Sequence, residues 1–295
     1  MTAKFLPSLH GVLLAVSLLF AGKAVAAERA AVSFPKSGKW VANYDVDACH
    51  LIAQFGSGDN AIIARFTRYQ PGDEFDLSII GKPVQLAGNE TPVRIGFGLA
   101  PQSEGVTGIL GTSGKQPLLI LNSTRLDGWR AVKEDDRPPA GVTPEQETRV
   151  TALTLDLTSR RRLTLGLGSM GKPMAALRTC MDNLLKHWGY EPEVQARLTR
   201  WATPVNSPQS WLNSMDYPTK ALREGHNGLI QFRLEVDETG KVLGCHILAR
   251  TSPDDFADAT CRGVTRRARL LPALDAKGSP VRSYYIQKVR WMIPG

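Results

Sequence analysis

The cysteines and histidines of this chain could hold a metal ion if their spacing in the sequence matched that of a metal site. The four cysteines include no C-x-x-C pair, the spacing typical of a zinc site; they are Cys49, Cys180, Cys245 and Cys261. No two histidines after residue 26 stand at the spacing of a shared metal ion; they are His50, His187, His226 and His246. The sequence therefore predicts no metal site and no cofactor, and disulfide formation becomes the main expectation for the cysteines.

Two glycine-rich segments resemble catalytic motifs, and both have the wrong spacing. Residues 108–115 resemble a phosphate-binding loop, but their first glycine stands one residue too far from Gly114. Gln116 occupies the position where serine or threonine would hold magnesium. Residues 168–171 lack the first glycine of a nucleophile elbow, because Leu167 stands there. We therefore predict that the protein is not an enzyme, although serine, histidine and aspartate could still converge from distant positions.

The first 26 residues have the three parts of a secretory signal peptide. Lys4 provides a positive charge, residues 11–21 form a short apolar run, and residues 24–26 have the small side chains that a signal peptidase recognises. Lys23 follows the apolar run too early for a membrane-spanning helix, which needs about 20 apolar residues. We therefore predict a signal peptide at 1–26 and export of the rest, with an uncleaved N-terminal anchor as the alternative.

Charge and compartment limit the classes of partner. The net charge of +8 includes Lys4 and Lys23, so the chain after the signal carries +6. A modest positive charge suits a protein near anionic polymers or lipids. The sequence has no recognised nucleic-acid-binding pattern, and an exported chain rarely meets nucleic acid, so we exclude that partner. An even number of cysteines in an exported chain favours two disulfides, with four reduced, buried thiols as the alternative.

Residues 38–190 have the pattern of a β-rich domain. Short apolar or alternating runs between turn residues predict strands at 40–44, 51–55, 61–67, 75–79, 93–99, 117–121, 150–157 and 163–167. This spacing is typical of a sandwich or a barrel-like sheet. We expect residues 27–38 to be a loose N-terminus and the charged, proline-rich residues 132–147 to be a surface loop.

One helix is predicted to close this domain. Pro173 fits a first helical turn, apolar residues recur at helical spacing as far as Trp188, and Gly189 fits the position after the last turn. Cys180 lies on the apolar stripe of this helix, where it can face the sheet and reach Cys49. A bridge between them would tie the first strands of the domain to its last element.

A linker at 191–212 leads to a smaller domain at 213–295. Alternating apolar residues predict a strand at 229–236, and a turn with Gly240 leads to a second strand at 242–249. Ser252 and Pro253 favour the start of a helix, and a last strand is predicted at 283–292. The order strand, strand, helix, strand gives a small α+β layer, so we predict an α+β chain.

The four cysteines allow three connectivities. Cys245 lies on the second strand of the small domain, and Cys261 lies on the apolar stripe of its helix. We therefore pair these two, and Cys49 with Cys180 follows by elimination.

Several short motifs of the small domain stand in a familiar order. They are Tyr217-Pro218, Ala221, Gly225, Gly228, residues 236–242, residues 269–273 and residues 278–281. Together they resemble the C-terminal domain of the TonB family over residues 216–294. Family members often have Arg-Phe-x-Pro-Ala at the positions of residues 269–273, where this chain has Leu270 in place of phenylalanine. The cysteine pair looks like a variant of exported members.

The resemblance implies a protein-interaction module that works in the periplasm. In the family, an extended peptide from an outer-membrane transporter adds as a strand to the last strand of the domain. The matching positions here are Tyr284, Tyr285, Ile286, Gln287, Lys288, Val289, Arg290 and Trp291. The alternative is that these side chains form only core and edge packing or a homodimer seam.

An energy transducer of this family needs two further parts that the chain does not match. Ser8 and His10 stand two residues apart, whereas the family needs a serine and a histidine one helical turn apart in a membrane helix. Only residues 191–212 replace the long proline-rich spacer. We therefore predict a soluble periplasmic binding or scaffolding protein for envelope proteins. The alternatives are a membrane-anchored transducer and a protein held on peptidoglycan or a membrane surface.

Overall fold

The structure is a computed structural model, which describes residues 30–128, 141–158, 161–251 and 255–293. The predicted signal peptide at 1–26, most of the predicted loop at 132–147 and the predicted helix start at Ser252 and Pro253 lie outside these ranges. The fold combines helices and strands in a large N-terminal sheet and a smaller C-terminal layer, so the α+β prediction is confirmed.

Ten strands form one large sheet, called here the curled sheet. In chain order they are β1 (Ala30–Pro35), β2 (Val41–Tyr44), β3 (Cys49–Phe55), β4 (Ile62–Arg68), β5 (Phe75–Ile80), β6 (Glu90–Gly96), β7 (Ser103–Ser113), β8 (Gln116–Thr124), β9 (Ala152–Leu157) and β10 (Arg161–Gly166). Their order across the sheet is β1-β10-β9-β6-β7-β8-β5-β4-β3-β2. β1 runs parallel to β10, and the other neighbours are antiparallel.

The curled sheet nearly closes on itself. The residue after β1, Lys36, forms an antiparallel bridge with Phe55 at the end of β3. The amide of Gly56 donates to the Pro35 carbonyl at 2.8 Å, and the amide of Ser37 donates to the Gln54 carbonyl at 2.9 Å. These bonds bring opposite sides of the sheet together, which matches the barrel-like form predicted from the strand spacing.

Aromatic side chains fill the interior of the curled sheet. The ring centroids of Phe66 and Phe75 lie 4.8 Å apart, and Phe97 lies 5.9 Å from Phe75. Trp40 packs edge-on against Phe66 at 5.4 Å, and its indole nitrogen donates to the Leu167 carbonyl. The interior is therefore a packed core that holds the sheet in one shape.

Two sequence expectations about this region are wrong. Residues 27–38 contain β1, which pairs with β10 over its whole length, instead of a loose terminus. Residues 144–147 belong to helix α1 (Pro144–Arg149), which starts with a capping box at Thr143, instead of a loop. In addition, no strand was predicted at residues 108–113, which belong to β7. A side chain at Gly108 would meet Leu119 at 2.4 Å, so this strand position requires glycine.

Helix α2 (Gly171–His187) covers β2 and β3, as the apolar stripe predicted. Cys180 is buried on this face and is joined to Cys49 of β3 by a disulfide, the pairing expected from the sequence. Gly189 has a φ of +82° just after the helix, a conformation that glycine adopts without strain. The Trp188 indole then donates to the Val46 carbonyl at 3.1 Å, which fixes the end of α2 beside the β2–β3 turn.

Residues 188–227 join α2 to the last sheet and are called here the connecting segment. This segment contains short elements of its own. They are α3 (Pro192–Gln195), β11 (Thr203–Pro204) and two 3₁₀ turns at Pro208–Ser210 and Ser214–Asp216. Helix α4 (Thr219–Glu224) follows and ends at Gly225 in the left-handed conformation. The predicted boundaries at 38–190, 191–212 and 213–295 stay predictions.

The C-terminal layer is a three-stranded antiparallel sheet covered by one helix. Its strands β12 (Gly228–Val236), β13 (Val242–Arg250) and β17 (Ser283–Trp291) have the order β13-β12-β17. Helix α5 (Asp255–Arg267) packs on one face, where Cys261 is joined to Cys245 of β13 by a disulfide. The short strands β14 (Leu270–Leu271), β15 (Ala273–Leu274) and β16 (Pro280–Val281) connect α5 to β17.

Candidate functional site

Strand β17 is an edge strand of the C-terminal sheet. It pairs with β12 from Ser283 to Trp291, and among the described residues no strand pairs with its other side. The Lys288 amide donates to the side-chain oxygen of Gln287 at 3.1 Å, whereas the Ile293 amide, just past the strand, donates to Asn227 beside β12. Because peptide groups alternate along a strand, the even-numbered residues of β17 present their N–H and C=O groups to the open side.

The even-numbered side chains of β17 pack against the N-terminal part of the chain. The Tyr284 ring lies 5.9 Å from Trp188 and 5.3 Å from Tyr190, and its burial raises the pKa of its hydroxyl. Ile286 packs against the same hydrophobic core. This end of β17 is therefore held by aromatic contacts with the residues that follow α2.

Ion pairs hold the other end of β17. The Lys288 ammonium donates to both carboxylate oxygens of Asp76 in β5, at 2.6 and 2.7 Å, and to the Asn122 side chain of β8 at 3.1 Å. Arg290 lies 2.5 Å from the carboxylate of Glu90 in β6. The curled sheet therefore packs against the face of β17 that carries the even-numbered side chains.

The odd-numbered side chains of β17 face α5 and the connecting segment. Tyr285 packs against Trp211 with ring centroids 5.6 Å apart, and Trp291 packs against Tyr217 at 5.6 Å. The Trp291 indole donates to the Thr260 hydroxyl of α5 at 2.9 Å. These contacts leave a groove of about 460 Å³ between the connecting segment and residues 287–292.

Residues that follow α2 also contact the chain where β17 begins. The Gln195 side-chain amide donates to the Arg282 carbonyl at 3.1 Å and accepts from the Ser283 hydroxyl at 2.7 Å. The Tyr190 hydroxyl donates to the Ser283 carbonyl at 3.0 Å. Farther along the strand, residues 287–292 line the groove.

A second cavity of about 340 Å³ lies on the other face of β17, against the curled sheet. Its walls include Tyr69, Glu74 and Ser123 from the curled sheet. Both cavities are lined by Gln287 and Lys288, so they meet at this point of the edge strand. A strand that paired with β17 here would have a cavity on each of its faces.

The structure separates the eight predicted partner-binding residues into groups. Tyr284 and Trp291 are 4% and 5% exposed and belong to the packing of the layer. Gln287, Lys288 and Val289 line the groove at the open edge. Tyr285, Ile286 and Arg290 hold β17 against its neighbours. The prediction of a partner-binding strand at these eight residues stays a prediction.

Sequence reasoning missed the residues outside the C-terminal layer that border this site. Trp211 lies in the connecting segment, and only its aromatic type could have drawn attention to it. Asp76, Asn122 and Glu90 lie on strands that are more than 160 positions from β17 in the sequence. No periodic pattern connects residues at such separations, so only the folded structure brings them to the site.

The described residues contain neither a group of metal-ligating side chains nor a membrane-spanning helix. No group of three or more histidine, cysteine, aspartate or glutamate side chains lies close enough to hold a metal ion within the described ranges. None of the helices in these ranges is long and apolar enough to cross a membrane.

Comparison with known families agrees with this geometry. Residues 213–293 match the family described as Gram-negative bacterial TonB protein C-terminal. This segment is therefore a TonB C-terminal domain, a class of domain that makes protein–protein contacts in the cell envelope. Searches of curated proteins and of solved structures gave no match to the chain.

Proposed function

We propose that this chain is an exported periplasmic binding or scaffolding protein whose TonB C-terminal domain pairs the open edge of β17 with an extended peptide of an envelope protein. One observation carries the proposal: within the described ranges no strand pairs with the outer edge of β17, and residues 287–291 of that strand border a groove of about 460 Å³. In this mode of binding the peptide backbone bonds to the strand edge, and pockets beside the strand select alternate side chains. An outer-membrane transporter is one partner of this kind.

A backbone substitution tests the proposed edge. Lys288→Pro removes an N–H group that points to the open side, and it leaves the bonds between β17 and β12 in place. Lys288→Ala is the matched control, because it also loses the ion pair with Asp76 but keeps the N–H group. A photo-crosslinking amino acid at position 287, which lines the groove, reports contact with a partner in the periplasm.

We expect crosslinks to a discrete envelope protein, with a much greater loss for Lys288→Pro than for Lys288→Ala. Equal crosslinking by the two variants, at equal thermal stability, would contradict strand addition at this edge. A complete lack of crosslinks in the unsubstituted chain would contradict a binding role.

The proposed export is tested by the mass of the product. Expression in a Gram-negative host should give a periplasmic species that begins near Ala27. With both disulfides present, it should be four hydrogens lighter than its reduced form. An uncleaved, membrane-bound product would instead support the anchored alternative.

A further inference from the structure

The open edge of β17 lies between two surfaces of opposite character. On the side of α5, the groove is lined by large apolar side chains, namely Trp211, Leu212, Tyr217, Val289 and Trp291. On the side of the curled sheet, the second cavity is lined mainly by polar side chains, namely Thr67, Tyr69, Gln70, Glu74 and Ser123. The two surfaces belong to different parts of the chain, and they meet at Gln287 and Lys288.

A peptide strand paired with β17 must place its side chains on both surfaces. Successive side chains of a strand point to opposite faces, and those of paired strands lie about 5 Å apart. Alternate peptide residues would therefore enter the apolar groove beside Val289. The residues between them would face the curled sheet beside Lys288.

Two carboxylates from the curled sheet line the second cavity, Asp76 and Glu74, and of these two only Asp76 forms an ion pair among the described residues. Lys288 is neutralised by Asp76, and Arg290 is neutralised by Glu90. Glu74 is exposed, and within the described ranges no positively charged side chain forms an ion pair with it. A strand added beside Lys288 would therefore gain from a positive side chain that faces Glu74.

From this geometry we infer that the curled sheet forms one wall of the peptide site and selects the partner. The peptide that fits is an extended segment with apolar side chains at alternate positions and a lysine or arginine between them. This inference rests on the function proposed above. It assigns to the N-terminal part of the chain the role of contacting, and so selecting, the side chains on one face of the bound strand.

Selection from a peptide library tests this inference with the whole, oxidised chain. A phage-displayed library of random nine-residue peptides is selected against the unsubstituted protein, Glu74→Lys and Glu238→Lys. Glu238 is the matched control, because it is exposed and has no ion-pair partner in the described part of the chain. It lies beyond the end of β12, roughly 20 Å from Gln231 along the strand direction. Both substitutions change the net charge by the same amount.

We expect the unsubstituted protein and Glu238→Lys to enrich the same peptides, with apolar residues at alternate positions and a basic residue between them. Glu74→Lys should lose this basic preference, and its affinity for a selected basic peptide should fall about fivefold. A photo-crosslinker at the basic position should label residues 67–76. One at a neighbouring apolar position should label residues 208–217.

The outcomes separate this inference from the proposed function. If the selected peptides lose binding in Lys288→Pro but are chosen equally well by Glu74→Lys, the edge binds peptides and the role of the curled sheet is wrong. If no peptide sensitive to Lys288→Pro is enriched, the proposed function itself fails, and this inference fails with it.

Discussion

Single polar residues hold the connecting segment beside the site. The carboxylate of Asp216 accepts two hydrogen bonds from the Arg267 guanidinium of α5, at 2.7 and 2.9 Å. Arg267 also donates to the Trp211 carbonyl at 2.7 Å, so this pair fixes the tryptophan that borders the groove. The hydrogen bonds from Arg267 hold the pKa of Asp216 below its usual value.

We predict that Asp216→Asn lowers the free energy of unfolding by about 1–2 kcal/mol at pH 7, because hydrogen bonds to a charged group are lost. Since the folded-state pKa is lowered, the contribution is present above the unfolded pKa of about 3.9 and is lost as the pH falls through the folded-state value. Urea unfolding between pH 7 and pH 2 measures both effects.

Asp182→Asn is the control for that prediction, because Asp182 is an exposed residue of α2. Its unfolding free energy should stay within about 0.5 kcal/mol of the unsubstituted chain. Equal stability of the two variants at pH 7 would show that Asp216 does not hold the connecting segment.

Pairs of residues within one layer were predictable, whereas pairs between layers were not. Cys245 and Cys261 stand on a strand and a helix whose apolar stripes must face each other, so their pairing follows from periodicity. Lys288 and Asp76 are 212 positions apart, and each has the pattern of an ordinary surface residue. Their contact depends on how two folded layers meet, which periodicity does not encode.

At the scale of elements, a regular alternation of apolar and polar residues predicted strands, whereas a glycine-rich strand was missed. β12 and β17 were predicted within two residues of their ends. Apolar and polar residues alternate from Ile230 to Val236 in β12, and turn residues at 278–280 precede β17. β7 was missed because it contains three glycines, at least one of which is required by close packing against Leu119. β1 was missed because its six residues derive their order from the parallel partner β10.

The two disulfides should stabilise their elements by different amounts. Cys245 and Cys261 close a loop over 16 positions, and Cys49 and Cys180 close one over 131 positions. In the chain-entropy treatment, a loop near 15 residues contributes about 3 kcal/mol, and one above 100 residues contributes about 5 kcal/mol. We predict that replacing the Cys49–Cys180 pair by alanine costs more stability than replacing the Cys245–Cys261 pair.

Thermal and urea unfolding of the two double variants measure this difference. The unsubstituted protein under reducing conditions is the control, because it should approach the combined loss. A larger loss from the short loop would mean that native contacts around Cys245 and Cys261, and not chain entropy, dominate the effect.

At the scale of the whole molecule, the N-terminal part covers a sheet face that the sequence presents as polar. Gln231, Arg233 and Glu235 alternate with the apolar residues of β12, a pattern typical of a solvated face. Arg233 is nevertheless only 3% exposed, because its guanidinium lies 4.2 Å from the ring centroid of Trp188. The sequence therefore predicted two parts of the chain, and it could not predict that they pack together.

We predict that residues 213–293 alone self-associate, because removal of the N-terminal part uncovers Tyr284, Ile286 and Leu248. Size-exclusion chromatography with light scattering should show a concentration-dependent mass for this fragment. The same fragment with Ile286→Lys should associate less. A monomeric fragment at every concentration would contradict a stabilising role for the covering contact.

The disulfide pattern has a consequence for biogenesis. Each disulfide joins two cysteines that are consecutive in the sequence: Cys49 bonds to Cys180, and Cys245 bonds to Cys261. A chain exported as proposed above would emerge from the translocation channel in N-to-C order and would meet its correct partner each time a second free thiol appears. Oxidation in order of emergence would then give the native connectivity directly, so maturation would require an oxidant for thiols but no enzyme that reshuffles disulfides.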